Sequence, residues 1–148
     1  IKIADFIKHL DLIKKKQFDF VYPSKFENDL VNKKNKRKIL LTIDDGFQSF
    51  YDQAWPVLKK EKIPFILFVN TREIGTRGYM TWDQIKEVSK EKFAHIGNHS
   101  YSHEYLVDMK DKEITDDINI ASSDFKDNLG YNSPFFHIHL ESIVIILR

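Results

Sequence analysis

The chain has 148 residues, 42% hydrophobic and 30% charged, with a formal net charge of +1 and no cysteine. That composition belongs to a globular domain, one long enough to build a core, and it offers no general electrostatic attraction for nucleic acid or membrane. The missing cysteines exclude disulfides and thiolate chemistry, no stretch approaches the ~18 apolar residues of a membrane span, and no signal peptide is visible at Ile1, which would suit a processed form or a fragment.

Residues 5–16 predict an amphipathic helix, with Phe6, Ile7, Leu10 and Ile13 on one face and lysines outside it. Phe18 to Tyr22 alternates and predicts a short strand, stopped by Pro23-Ser24. Lys25 to Lys38 is polar and basic. The run Lys33 to Lys38 could meet a phosphate partner, but the balanced charge elsewhere favours a solvated loop. Ile39 to Ile43 is a continuous apolar run, as for a strand buried on both faces. A helix over 50–62 follows, with Ser49 as N-cap and a kink or late start at Pro56. Pro64 to Val69 predicts a second buried strand. Thr81 caps a helix through about Lys90, Phe93 to Gly97 predicts a third strand, and a long helix over 111–129 ends at Gly130. A fourth strand begins at Pro134. Strand and helix alternate with buried strands, so the fold class is α/β with a parallel sheet or barrel, whose sites form at the carboxyl ends of strands.

Two segments carry the chemistry. Thr42-Ile43-Asp44-Asp45-Gly46 ends the first buried strand, and His99-Ser100-Tyr101-Ser102-His103 follows the third, so both fall on one rim. Asp-Gly is also a common turn dipeptide, but a hairpin needs a paired strand next and a helix follows here. Two adjacent carboxylates repel, which a bound cation would relieve. His99 and His103, four apart, would share a face of a helical turn. The H-E-x-x-H protease spacing is matched, but its Glu is absent. With a strand-end Asp they make a two-His, one-carboxylate set that leaves coordination positions open. His9 reads as a surface residue and His95 as a strand residue. Tyr79, Tyr101 and Tyr105 lie near loops and could stack on a sugar, whereas Trp82 reads as helix core.

Thr42-Ile43-Asp44-Asp45-Gly46 resembles the T-F-D-D-G motif of the polysaccharide deacetylases (NodB-like, carbohydrate esterase family 4). His99-Ser100-Tyr101-Ser102-His103 resembles their H-S/T-x-x-H motif. Further similarity runs from about Phe6 to Phe136, and the helix and strand before the first motif look most like the biofilm poly-N-acetylglucosamine deacetylase branch. The resemblance implies an incomplete (β/α)7 barrel, here truncated after about four of its strands, in a single partial domain over 1–148. It implies that Asp45, His99 and His103 bind a divalent metal, usually zinc, and that Asp44 is the general base in hydrolysis of N-acetyl groups from a glycan. It also implies a polysaccharide partner, a periplasmic or extracellular location, and peripheral association with membrane or cell wall. The family's proton-donating histidine matches no residue here.

Residues 137–148 leave the family pattern, where a Pro-Tyr/Phe-Gly segment is expected. On one reading the tail is frameshifted at the Phe135-Phe136 run, and His137 and His139 then carry no role; on the other, Ile143–Leu147 is a buried strand. A barrel cut at this point exposes a sheet edge, which a homodimer would cover. A catalytically impaired remnant, acting at most as a metal- or glycan-binding module, is the competing reading. A non-haem iron oxygenase would share the ligand types, but the helix pattern speaks against its double-sheet fold.

Overall fold

The computed structural model describes residues 2–26, 37–138 and 143–146. Most of the basic run and His139 therefore lie outside the described residues. Helix α1 (Ile3–Lys15) opens the chain. Strand β1 (Asp19–Phe20) pairs in parallel with β2 (Lys38–Ile39) as a small sheet of its own. The main sheet takes β3 (Leu41–Ile43), β4 (Phe65–Val69), β5 (Ala94–Asn98), β6 (Phe135–Ile138) and β7 (Ile143–Ile146) in sequence order. The first four run parallel, and β7 returns antiparallel on β6. Helices α2 (Trp55–Glu61), α3 (Trp82–Ser89) and α4 (Asp111–Leu129) make the crossovers.

β4 is the central strand: Phe65, Ile66, Leu67, Phe68 and Val69 are all fully buried. Such a strand, covered on both faces, needs an unbroken apolar run, which this sequence supplies. On one side of the sheet these residues meet Trp55, Leu58, Ile85, Val88 and Phe125 from the three crossover helices. On the other, Ile66 and Phe68 pack with Phe135. β3 departs from the expectation of two buried faces. Leu41 and Ile43 are half-buried and Thr42 is exposed, because β3 has a neighbour on β4's side alone among the described residues. The β6 edge, which the sequence left open, is occupied by β7.

Local signals mostly hold. Thr81 caps α3 in a capping box, with its hydroxyl accepting from Gln84 N and the Gln84 side chain accepting from Thr81 N. Gly130 ends α4 in the left-handed conformation at φ 80°. Trp82 meets Phe125 edge-on at 6.0 Å, as core rather than sugar platform. Ser49 does not cap. The chain enters the first crossover through a π-helical turn, Phe50–Ala54, and the α-helix starts only at Trp55 with Pro56 in its first turn. Proline lacks the N–H and clashes one turn back, so a wider turn precedes it.

Candidate metal centre

Asp44 and Asp45 follow β3 directly, and His99 follows β5 directly, so both motifs meet at the carboxyl rim of the parallel strands. The turn after β3 is tight: Asp45 has φ 74° and Gly46 φ 71°. Aspartate tolerates the left-handed region better than most residues. Gly46 has no substitute, since a Cβ there would stand 3.0 Å from Val69 Cγ1 and 3.2 Å from Ile74 Cδ1. The turn thus seats against β4 and points the Asp45 carboxylate inward while Asp44 stays largely exposed.

The segment from His99 to His103 is not the helical turn that its spacing suggested. Ser100 and His103 both take left-handed conformations, at φ 67° and 61°. Side chains replace the missing helical hydrogen bonds. Ser100 N donates to Asn98 Oδ1 at 2.8 Å, and His103 N donates to Ser100 Oγ at 3.1 Å. Tyr101 N and Ser102 N donate to the two oxygens of Asp117 at 3.0 and 2.8 Å. Asp117 sits buried on α4, in the stripe that continues with Ala121 and Phe125. Sequence reading missed it, although an acidic residue in a helix's apolar stripe was the available signal.

The fold brings the three expected ligands together. His103 Nε2 lies 3.1 Å from Asp45 Oδ1 and 3.2 Å from His99 Nε2, and His99 Nε2 lies 3.8 Å from Asp45 Oδ1. Ligand atoms held by a tetrahedral ion at bond lengths of about 2.0–2.1 Å stand about 3.3 Å apart, so the spacing fits a small divalent cation. Asp45 Oδ1 is buried and accepts no well-formed hydrogen bond, as expected of an oxygen reserved for an ion. His99 is only 2% exposed, and burial is the main cause holding its pKa below the ordinary histidine value, so the ring is neutral. Its Nδ1 lies 2.8 Å from the His137 carbonyl. A carbonyl only accepts, so Nδ1 carries the proton and Nε2 presents its lone pair to the centre.

Asp44 stands beside this set, 43% exposed at its side chain. Its neighbour is His137, whose Nδ1 lies 3.3 Å from Asp44 Oδ1. The frameshifted reading of the tail leaves His137 without a role, and the structure places it beside His99 and Asp44. It follows the buried pair Phe135-Phe136 on β6, its ring stacks on His99 at 4.7 Å, and it packs against Phe68 at 5.1 Å. His9 is exposed, and His95 is a strand residue set edge-on to Phe135, as expected. Tyr79 stacks on the exposed Phe47 at 5.0 Å beside the Asp45 turn.

Comparison with known proteins decides the lineage. The family model described as polysaccharide deacetylase matches residues 31–138, most of the chain. The chain belongs to the polysaccharide deacetylase family. A putative polysaccharide deacetylase of Bacillus subtilis is 32% identical over 71 residues, which are 48% of this chain and 25% of that protein. The poly-beta-1,6-N-acetyl-D-glucosamine N-deacetylase of Staphylococcus epidermidis is 29% identical over 102 residues, 65% of this chain and 35% of that one. The solved structure of IcaB from Ammonifex degensii superposes with a TM-score of 0.83 at 28% identity, covering 93% of this chain and 66% of that chain. This chain therefore spans about a quarter to a third of those two curated relatives. Its four parallel strands with outer helices form the expected incomplete (β/α) barrel of this family.

Proposed function

We propose that this chain carries the metal-binding half and the base of a polysaccharide N-deacetylase that removes acetyl groups from an N-acetylglucosamine-containing glycan. The observation that carries the reading is the convergence of Asp45, His99 and His103 beside a solvent-accessible Asp44. Asp45, His99 and His103 would hold the ion, with zinc favoured by the two-imidazole, one-carboxylate set. A divalent ion held there supplies Lewis acidity for an acyl carbonyl and lowers the pKa of water. Asp44 takes the proton from the attacking water, for which an exposed carboxylate next to the centre is suitably placed. Buried His99, fixed by the His137 carbonyl, keeps its lone pair aimed at the centre and needs no reorganisation as the reaction proceeds. The products are acetate and a free amine on the sugar.

The relatives' printed names, including poly-beta-1,6-N-acetyl-D-glucosamine N-deacetylase, support the substrate class. A cell-surface or periplasmic setting, with peripheral contact to membrane or wall, follows from that class of glycan. Self-association through an open sheet edge belongs to the same reading. A clean monomer by light scattering, with cooperative melting, counts against that part.

The test is acetate release from an N-acetylated glucosamine oligomer with added zinc, run on the chain and on Asp44→Asn. Release that stops in Asp44→Asn while bound metal is unchanged is expected. Equal release from both refutes the base assignment. Metal content unchanged in Asp45→Ala refutes the ligand assignment.

A further inference from the structure

We propose that Asn70 is a positioning residue of the site, whose side-chain amide accepts a hydrogen bond from the attacking water and holds it for Asp44. This deepens the deacetylase reading above and rests on it. Among the described residues, three buried side-chain atoms lack a hydrogen-bond partner: Asp45 Oδ1, Asn70 Oδ1 and Thr71 Oγ1. All three lie at the carboxyl rim, two of them directly after β4. A buried acceptor left unpaired weakens a fold, and native folds keep few of them. The expected ion accounts for Asp45 Oδ1 and leaves Asn70 Oδ1 without a partner.

Sheet order places Asn70 between the two motifs. β4 lies between β3, which leads into Asp44 and Asp45, and β5, which leads into His99. Pairing continues past Val69, since Thr71 N donates to the Ser100 carbonyl at 3.1 Å. Strand alternation therefore holds there and puts Asn70 on the face of Phe68, with Thr71 on the other. That face carries the rings. Phe68 stands 6.3 Å from His99 and 5.1 Å from His137, the neighbour of Asp44. Asn70 is set as deeply as His99, each 2% exposed. At that depth a sugar ring is excluded, and a single water molecule is the partner of the right size.

The chemistry suits an amide. Water has two hydrogens, and Asp44 receives one of them as a proton. Asn70 Oδ1 accepts a hydrogen bond from the other, which fixes the direction of the attacking lone pair. A carboxamide stays neutral and takes no proton, so Asn70 orients the water without competing with Asp44. A carboxylate in its place would compete for the proton and add a third negative charge beside Asp44 and Asp45.

Asn70→Leu tests this, because leucine keeps the branched outline and removes both polar atoms. Melting of the metal-free chain, cobalt(II) titration and steady-state acetate release are read on the same samples. Asn70→Leu is expected to melt no lower than wild type, since an unpaired acceptor is removed. It should bind cobalt as wild type does and lose about 10–100-fold in kcat with KM unchanged, the loss typical of an outer partner. Asn70→Ser is smaller but its hydroxyl still accepts from water, so it should melt lower than Asn70→Leu yet keep more of kcat. A space-filling role gives the reverse order of rates, and that order overturns the proposal, as does undiminished kcat in Asn70→Leu. A lower melting point for Asn70→Leu overturns it by showing the amide to be paired, and loss of cobalt from the folded variant overturns it by making Asn70 a ligand. A wild-type chain that binds no cobalt or releases no acetate is a different outcome, because it removes the reading on which the proposal rests.

Discussion

Asp117→Ala is the sharpest test of how the histidine loop is held. Asp117 is 4% exposed and accepts two backbone hydrogen bonds, from Tyr101 N at 3.0 Å and Ser102 N at 2.8 Å. Bonds to a charged acceptor contribute about 1.5–3 kcal/mol each, so the pair contributes about 3–6 kcal/mol before the cost of burying the carboxylate. That desolvation cost offsets part of it, leaving an expected loss of about 2–4 kcal/mol. For a domain of this size each kcal/mol moves Tm by roughly 3 °C, so the melting point should fall by about 6–12 °C. Freed of Asp117, the loop no longer holds His103 in its left-handed conformation, and cobalt affinity should fall with Tm. Asp117→Asn keeps one acceptor oxygen and should recover part of both. Thermal melting and cobalt titration on the same samples read the two effects. A melting shift under 2 °C, with unchanged cobalt affinity, would refute the claim that Asp117 organises the loop.

Three further outcomes follow from the packing and the buried charges. Gly97→Ala should cost about 3 kcal/mol, the upper part of the overpacking range, because the new Cβ would lie 2.2 Å from Phe68 Cδ1, and Phe68 is fully buried; a urea midpoint equal to that of wild type would show that the strands can part more easily than the structure implies. Phe125→Ala should cost about 3–5 kcal/mol, since the ring is fully buried under Trp82; a loss below about 1 kcal/mol in the same assay contradicts the core assignment. His95 has its pKa lowered by burial, so it is neutral in the fold while the unfolded chain protonates near the ordinary value of 6.5. Its contribution is therefore present above that pH and is lost as pH falls below it. His95→Gln should flatten the acid side of a stability-against-pH curve, and an identical curve for the two proteins removes His95 from the account.

What the sequence reveals and what it conceals divide along physical lines. Val69 and its neighbours form an unbroken apolar run, which only a strand covered on both faces requires, so β4 was legible. Gly130 and Thr81 marked helix ends to within a residue. The short edge strand β3 was overread because a run of apolar residues does not say how many neighbours the strand has. Asp45, His99 and His103 were legible as residue types at strand ends, but the loop's shape was not. Four-residue spacing suits a helical turn, and the side chains of Asn98, Ser100 and Asp117 enforce another geometry. His137 was hidden for a related reason. Its ring reaches Asp44 through the order of β3 to β6 in the sheet, across 93 positions of sequence, and no local pattern encodes that contact.

The distribution of the proposed ligands over the strands has a consequence for folding. Asp45 hangs from β3, the strand at the sheet's open side, whereas His99 and His103 hang from β5, with β4 between them. An ion joining them would act as a clasp across β4, closing a loop of the chain and securing a strand that pairs on one side alone among the described residues. Because the unfolded chain offers no such set, binding at 100 times Kd would add about 2.7 kcal/mol to stability. Amide exchange should report it unevenly, slowing most along Leu41–Ile43 and least in β4, which is already held on both sides.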